Sequence, residues 1–246
     1  MFLFYNPFYL LILLPGILLG IIAQARVSST FHKYSRVRSK RNVTAHDLSG
    51  MLLERNGCAG VRIRPVRGHL TDHYDPRDYT LNLSESVCYS DSVAALGVAA
   101  HEVGHAVQHA ENYFPLKLRS AMVKITNLGT MLAIPLVLIG VLIEWFALSA
   151  ESAGMTTFAE LLILVGIFGY GLTTLFSLVT LPVEFNASRR ALAMIKEVGA
   201  LDKEELRGAR TVLSAAAWTY IASFVTSLLY FLRFLMIISS MRGRRD

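Results

Sequence analysis

Four long apolar stretches frame this chain, at 8–25, 125–143, 161–183 and 211–232. Each is built mainly from Leu, Ile, Val, Phe and Ala with scattered Gly, and each approaches the roughly 20 residues a helix needs to cross a bilayer. One such run would fit a buried soluble helix; four in 246 residues predict a polytopic, mostly helical membrane protein. The first run has no charged segment before it and a basic one after it. It is read as an uncleaved anchor with its N-terminus outside rather than a signal peptide.

Between 42 and 120 the periodicity changes. Residues 44–54 repeat at helical spacing, with Leu48, Met51 and Leu52 on one side. Thr44 followed by Asp47 marks the start of that helix, and Asn56-Gly57 marks its stop. Residues 61–66 and 79–83 alternate and predict a small strand pair, separated by turns at Gly68 and 75–78. An edge strand there would let an extended peptide add by backbone hydrogen bonds. A small-residue apolar run from Val93 to His101 predicts a further helix, capped by Ser90 or Asp91 and ending before Pro115. No internal repeat or low-complexity tract interrupts the pattern.

Composition agrees: 53% of residues are hydrophobic and 17% charged. Lys and Arg are unevenly placed. Arg26, Lys33, Arg36, Arg38, Lys40 and Arg41 follow the first run, and Arg189, Arg190, Lys196, Lys203, Arg207 and Arg210 separate the third from the fourth. The connection between the second and third carries Glu144, Glu151 and Glu160 and no Lys or Arg. Both basic segments are therefore expected on the cytoplasmic side of the membrane. A simple fourth span would leave Arg242, Arg244 and Arg245 outside, which the rule does not resolve. The expected divisions are an anchor at 1–25, a cytoplasmic part at 26–120, two spans at 121–183, a second cytoplasmic segment at 184–210, and a last span with a basic tail at 211–246; a loop beginning at Pro182 is expected to face the cytoplasm. The net charge of +6 is accounted for by this topology and by anionic lipid, and no nucleic-acid module is present. Cys58 and Cys88 fall in the cytoplasmic part and are expected to be reduced.

Against this background one motif carries chemistry: His101-Glu102-Val103-Gly104-His105. On a helix, residues four apart share a face, so both imidazoles can reach one metal ion. Glu102 lies one step round, where it can act as general base on a metal-activated water, as in zinc hydrolases. A catalytic zinc takes three protein ligands. His109 lies roughly 12 Å along the axis from His101, too far to share an ion with it. It reads as a helix-end or supporting residue. Glu184 falls at the cytoplasmic end of the third run; by position alone it is either the third ligand or a surface carboxylate paired with Arg189 or Lys196. A second polar cluster, His69 and Asp72 to Asp75, offers His73 or Tyr74 as an oxyanion donor and Asp75 as an orienting group, or simply a capped turn.

The chain resembles the YugP-type bacterial membrane zinc metallopeptidases over nearly its whole length. The resemblance rests on Gly68-His69-Leu70-Thr71-Asp72-His73-Tyr74-Asp75-Pro76, on Leu81-Asn82-Leu83-Ser84, on residues 98–109 around the motif, and on Leu181-Pro182-Val183-Glu184-Phe185-Asn186-Ala187-Ser188-Arg189-Arg190-Ala191. It is similar in pattern to the HtpX and CAAX-prenyl peptidases, where a glutamate on a later helix completes the site. The resemblance implies a zinc-dependent peptidase with Glu184 as the third ligand. Asn186 stands where such proteins often carry Asp, which touches no proposed ligand but bears on a supporting bond to a His ligand.

The expectation is a mostly α membrane protein with about four transmembrane helices and a small α+β zincin-like part carrying the motif on a helix. His101, His105 and Glu184 would hold one Zn2+ per chain, and Glu102 would act on a protein or peptide substrate. A zinc hydrolase of a lipid amide or ester needs the same metal chemistry, and a non-enzymatic scaffold would use the site structurally.

Overall fold

The structure is a computed structural model describing residues 11–149 and 152–242. Positions 8–10 of the first apolar run, Glu151, and Arg244 and Arg245 of the basic tail lie outside the described residues. The elements in chain order are α1 (Leu14–Tyr34), α2 (Ala45–Arg55), β1 (Arg62–Val66), β2 (His73–Asp75), β3 (Thr80–Ser84), α3 (Glu85–Cys88), α4 (Val93–Ala110), α5 (Phe114–Ser149), α6 (Ala153–Glu197) and α7 (Lys203–Arg242). They divide into two compact units. One draws its described residues from 11–20, 118–149, 152–179 and 222–242, and the other is 21–117 with 180–221.

The first unit is helical. Among the described residues four helices, α1, α5, α6 and α7, are long and apolar enough to cross a membrane. Their outward positions, such as Ile125, Met131, Leu164 and Phe168, leave large apolar side chains exposed, as a lipid-facing surface requires. Inside the unit, α5 and α6 approach closely at Gly129 and Gly169, where a Cβ on either would lie about 3 Å from the other's carbonyl oxygen. Thr130 and Thr173 bridge the same helices by a 2.8 Å hydroxyl hydrogen bond.

The second unit is α+β. Thr44 caps α2, its hydroxyl accepting from the Asp47 amide and donating to the Asp47 carboxylate, and Gly57 in the left-handed region follows the helix. Leu48, Leu52 and Leu53 are buried, whereas Met51 faces outward. In the sheet, β3 is central. It runs parallel to β1 (Arg62↔Thr80 to Val66↔Ser84) and antiparallel to β2 (His73↔Asn82, Tyr74↔Leu81, Asp75↔Thr80). The expected strand pair is thus parallel, and a third strand, β2, forms an edge. Pro65, which has no amide hydrogen to give a ladder, sits on the other edge strand. All five residues of β3 are buried, with α3 and α4 packed against the strand.

The cap of α4 is Ser92, one residue beyond the two expected ones. Its hydroxyl accepts from the Ala95 amide and from Ser90 Oγ–H. The segment before α2 is stitched to this helix start, with Val93 N–H donating to Val37 and Ser39 N–H to Asp91. Lys40 reaches the start of α7, where its ammonium meets Asp202 at 2.6 Å and its amide donates to Glu205. Pro182 does not open a loop, as expected from sequence, but lies inside α6. Beyond it Val183, Ala187, Ala191 and Ile195 form one fully buried stripe at four-residue spacing. That burial outweighs the roughly 3 kcal/mol a proline costs a helix interior. Cys58 and Cys88 are free and buried.

Candidate metal centre

The site is built where α4 lies against the end of α6. His101, Gly104, His105 and Gln108 recur at three- and four-residue steps, so they share one face of α4. Val183, Glu184, Ala187 and Ser188 do the same on α6. The two faces meet in antiparallel order: His101 contacts Ser188 and Glu184, Gly104 faces Ala187, His105 meets Glu184, and Gln108 reaches Val183.

The Glu184 carboxylate, 2% exposed, points at both imidazoles. Its Oε2 lies 3.2 Å from His101 Nε2 and 3.5 Å from His105 Nε2. It is therefore no surface carboxylate. Burial works to raise its pKa, but hydrogen bonds and charge from the two imidazoles outweigh this and hold it well below the usual carboxylate range. Burial likewise works to lower His105, but Glu184 and then Glu102 outweigh it and move that imidazole upward.

Each imidazole is oriented through its other nitrogen. Gln108 is wholly buried, and its Nε2 donates to the Val183 carbonyl at 2.8 Å and to Asn186 Oδ1 at 2.9 Å. Its Oε1 must then face His105 Nδ1, 3.0 Å away, and that nitrogen must donate. Nε2 of His105 is left to face Glu184. His101 Nδ1 pairs with Ser188 Oγ at 3.0 Å, which orients that ring. Such partners fix a ligating imidazole's tautomer and ring angle. Asn186 touches neither imidazole. It accepts from Gln108 and from Arg190 Nε, one layer further out than expected. Neither Gln108 nor Ser188 was singled out from sequence, although a glutamine in a small apolar helix is costly without partners and Ser188 shares Glu184's face.

Among the described residues, one donor atom each from His101, His105 and Glu184 lies within 4.8 Å of the others. Donors about 2 Å from a tetrahedral ion sit roughly 3.3 Å apart, and two imidazoles with a carboxylate are a zinc enzyme's ligand set. The residues fit a zinc ion.

Glu102 stands outside that set. Its Oε2 accepts the Tyr74 amide at 3.1 Å, so edge strand β2 is tied directly to this carboxylate. Burial pushes Glu102 up from the usual carboxylate range, with His101 and His105 opposing. The Tyr74 hydroxyl pairs with His109 Nδ1 at 2.9 Å, and burial pushes its pKa up to about 12. His109 thus supports β2 rather than the ligand set, and the Tyr79 ring packs on it at 5.5 Å. His73 is exposed; its Nδ1 donates to the Thr71 carbonyl and its Nε2 accepts from Asn82. Asp75 caps the turn by accepting from Arg77 N–H. Asp72 accepts from the Ser84 amide and hydroxyl, closing the loop onto β3. His69 packs edge-on against Phe31.

A family model described as "Putative neutral zinc metallopeptidase" matches residues 9–239. The chain is also 42% identical, over 219 residues, to "Putative membrane protease YugP" of Bacillus subtilis (strain 168), covering 89% of this chain and 91% of that one. No solved structure matches.

Gln108→Ala removes the acceptor that His105 Nδ1 faces. Zinc affinity, measured by competition with a chromophoric chelator, is expected to fall roughly ten- to a hundredfold while circular dichroism stays unchanged. An unchanged affinity would refute the orienting role.

Proposed function

The chain belongs to this neutral zinc metallopeptidase family, and from that premise we propose that it is a multi-pass membrane peptidase that hydrolyses peptide bonds at His101, His105, Glu102 and Glu184. The reading is carried by one observation: a buried carboxylate shared by two imidazoles of a His-Glu-x-x-His helix, with a second carboxylate beside them. His101, His105 and Glu184 would hold one Zn2+ per chain. Zinc bound there supplies a Lewis acid that polarises a carbonyl and lowers the pKa of water.

The chain's own groups supply the rest. Tyr74 N–H holds Oε2 of Glu102, which leaves Oε1 to take the proton of the attacking water and pass it to the departing amine nitrogen. Gln108 and Ser188 keep the imidazole Nε2 atoms turned toward Glu184. Tyr74, neutral at physiological pH, joins β2 to His109 and so keeps the edge strand in register with Glu102. The catalytic part is zincin-like in carrying its motif on α4, and comprises 26–120 and 184–210. A lipid amide or ester would meet the same groups, but the membrane-protease relative favours a protein or peptide substrate.

Glu102→Gln preserves shape and removes the base. It is expected to retain zinc and to lose at least about a hundredfold in turnover of a denatured protein substrate. Near-normal protein cleavage in that variant would rule out the mechanism, and lipid products without peptide products would favour the rival substrate.

The uneven placement of Lys and Arg supports a cytoplasmic position in the bacterial cell for the 26–120 and 184–210 segments, with Glu160 outside. On intact cells, an impermeant maleimide is expected to label Thr157→Cys and to reach Arg38→Cys only after permeabilisation. The reverse pattern would invert the topology.

A further inference from the structure

We infer that Gly104 is a positioning residue for the metal centre: its missing side chain sets the separation of α4 and α6 at which Glu184 reaches both imidazoles. The inference rests on the proposed zinc reading. A Cβ on Gly104 would lie 2.7 Å from the Ala187 carbonyl oxygen and 3.2 Å from its carbonyl carbon and Cα. All three atoms are backbone, so no rotamer change relieves the contact, and α6 itself would have to move. Ala187 lies between Glu184 and Ser188 on the facing stripe, so any displacement at Ala187 carries both residues with it. Those two residues contact His101 Nε2 and Nδ1, and Glu184 also contacts His105. Bringing the overlap out to ordinary contact demands a shift of roughly half an ångström or more. Zinc donors must hold their distances within about 0.2 Å.

Gly97, two turns earlier on α4, provides the contrast. A Cβ there meets the Ala209 Cβ at 3.4 Å, an ordinary contact with α7. The close approach at Gly104 therefore belongs to the ligand-bearing crossing and is not a general feature of the helix.

The test compares wild type, Gly104→Ala and Gly97→Ala as full-length protein in detergent. Each is measured for Zn2+ affinity, Cd2+ affinity and the melting temperature of the metal-free form. Zinc affinity is expected to fall at least roughly tenfold in Gly104→Ala and to stay within about twofold of wild type in Gly97→Ala. Because Cd2+ is larger and forms longer bonds, its affinity should fall less, shifting the preference toward Cd2+. An equal loss of both ions with a lower melting temperature would make Gly104 merely structural and overturn the inference. Wild-type zinc affinity in Gly104→Ala would overturn it too, while leaving the zinc centre standing. Absence of zinc binding in wild type would instead defeat the zinc reading and this inference with it. Should Gly104→Ala not fold, Ala187→Val adds bulk from the facing helix and is held to the same outcomes.

Discussion

The antiparallel contact between α4 and the end of α6 is the constraint on which the site depends. Motif residues on one helix supply two imidazoles at fixed spacing, but the third donor comes from a residue 79 positions beyond His105 in sequence. Only a close crossing can deliver it. The crossing is made close by small residues, Gly104 against Ala187, and held by polar bonds at either end, His101 to Ser188 and Gln108 to Val183. Around it Ala99, Ala100, Val103, Ala106, Ala191 and Ile195 are buried, so the helices have little room to slide.

Burying a carboxylate as completely as Glu184 is unfavourable unless positive charge or hydrogen-bond donors meet it. Two imidazoles meet it here. A divalent cation between the three groups would meet the same carboxylate and both Nε2 atoms, which is why the arrangement suits a metal. Glu102 experiences the opposite balance. Burial dominates and its carboxyl is pushed up from the usual carboxylate range. Two buried carboxylates thus carry opposite shifts because their neighbours differ.

Much of this was legible in sequence. Four apolar runs announced the long helices, and His-Glu-x-x-His announced two imidazoles on one helix face. The remainder depended on tertiary context. Residues 73–75 are too short and polar to read as a strand, yet β2 pairs with β3 and places its Tyr74 amide on Glu102. Pro182 looked like a helix end, but the buried stripe from Val183 to Ile195 carries α6 through it. Position alone left Glu184 between a ligand and a surface ion pair; its burial and its two imidazole contacts exclude the surface pair. Gln108 carried a readable signal, a buried amide needing partners, but which partners it finds is decided by α6.

His101, His105 and Glu184 are proposed to hold one zinc. Metal content per chain, measured by mass spectrometry on detergent-purified wild type beside Glu184→Ala, tests it most directly. About one zinc in wild type and little in the variant is the predicted result. No zinc in wild type after it is supplied, or zinc fully retained without Glu184, would contradict the account.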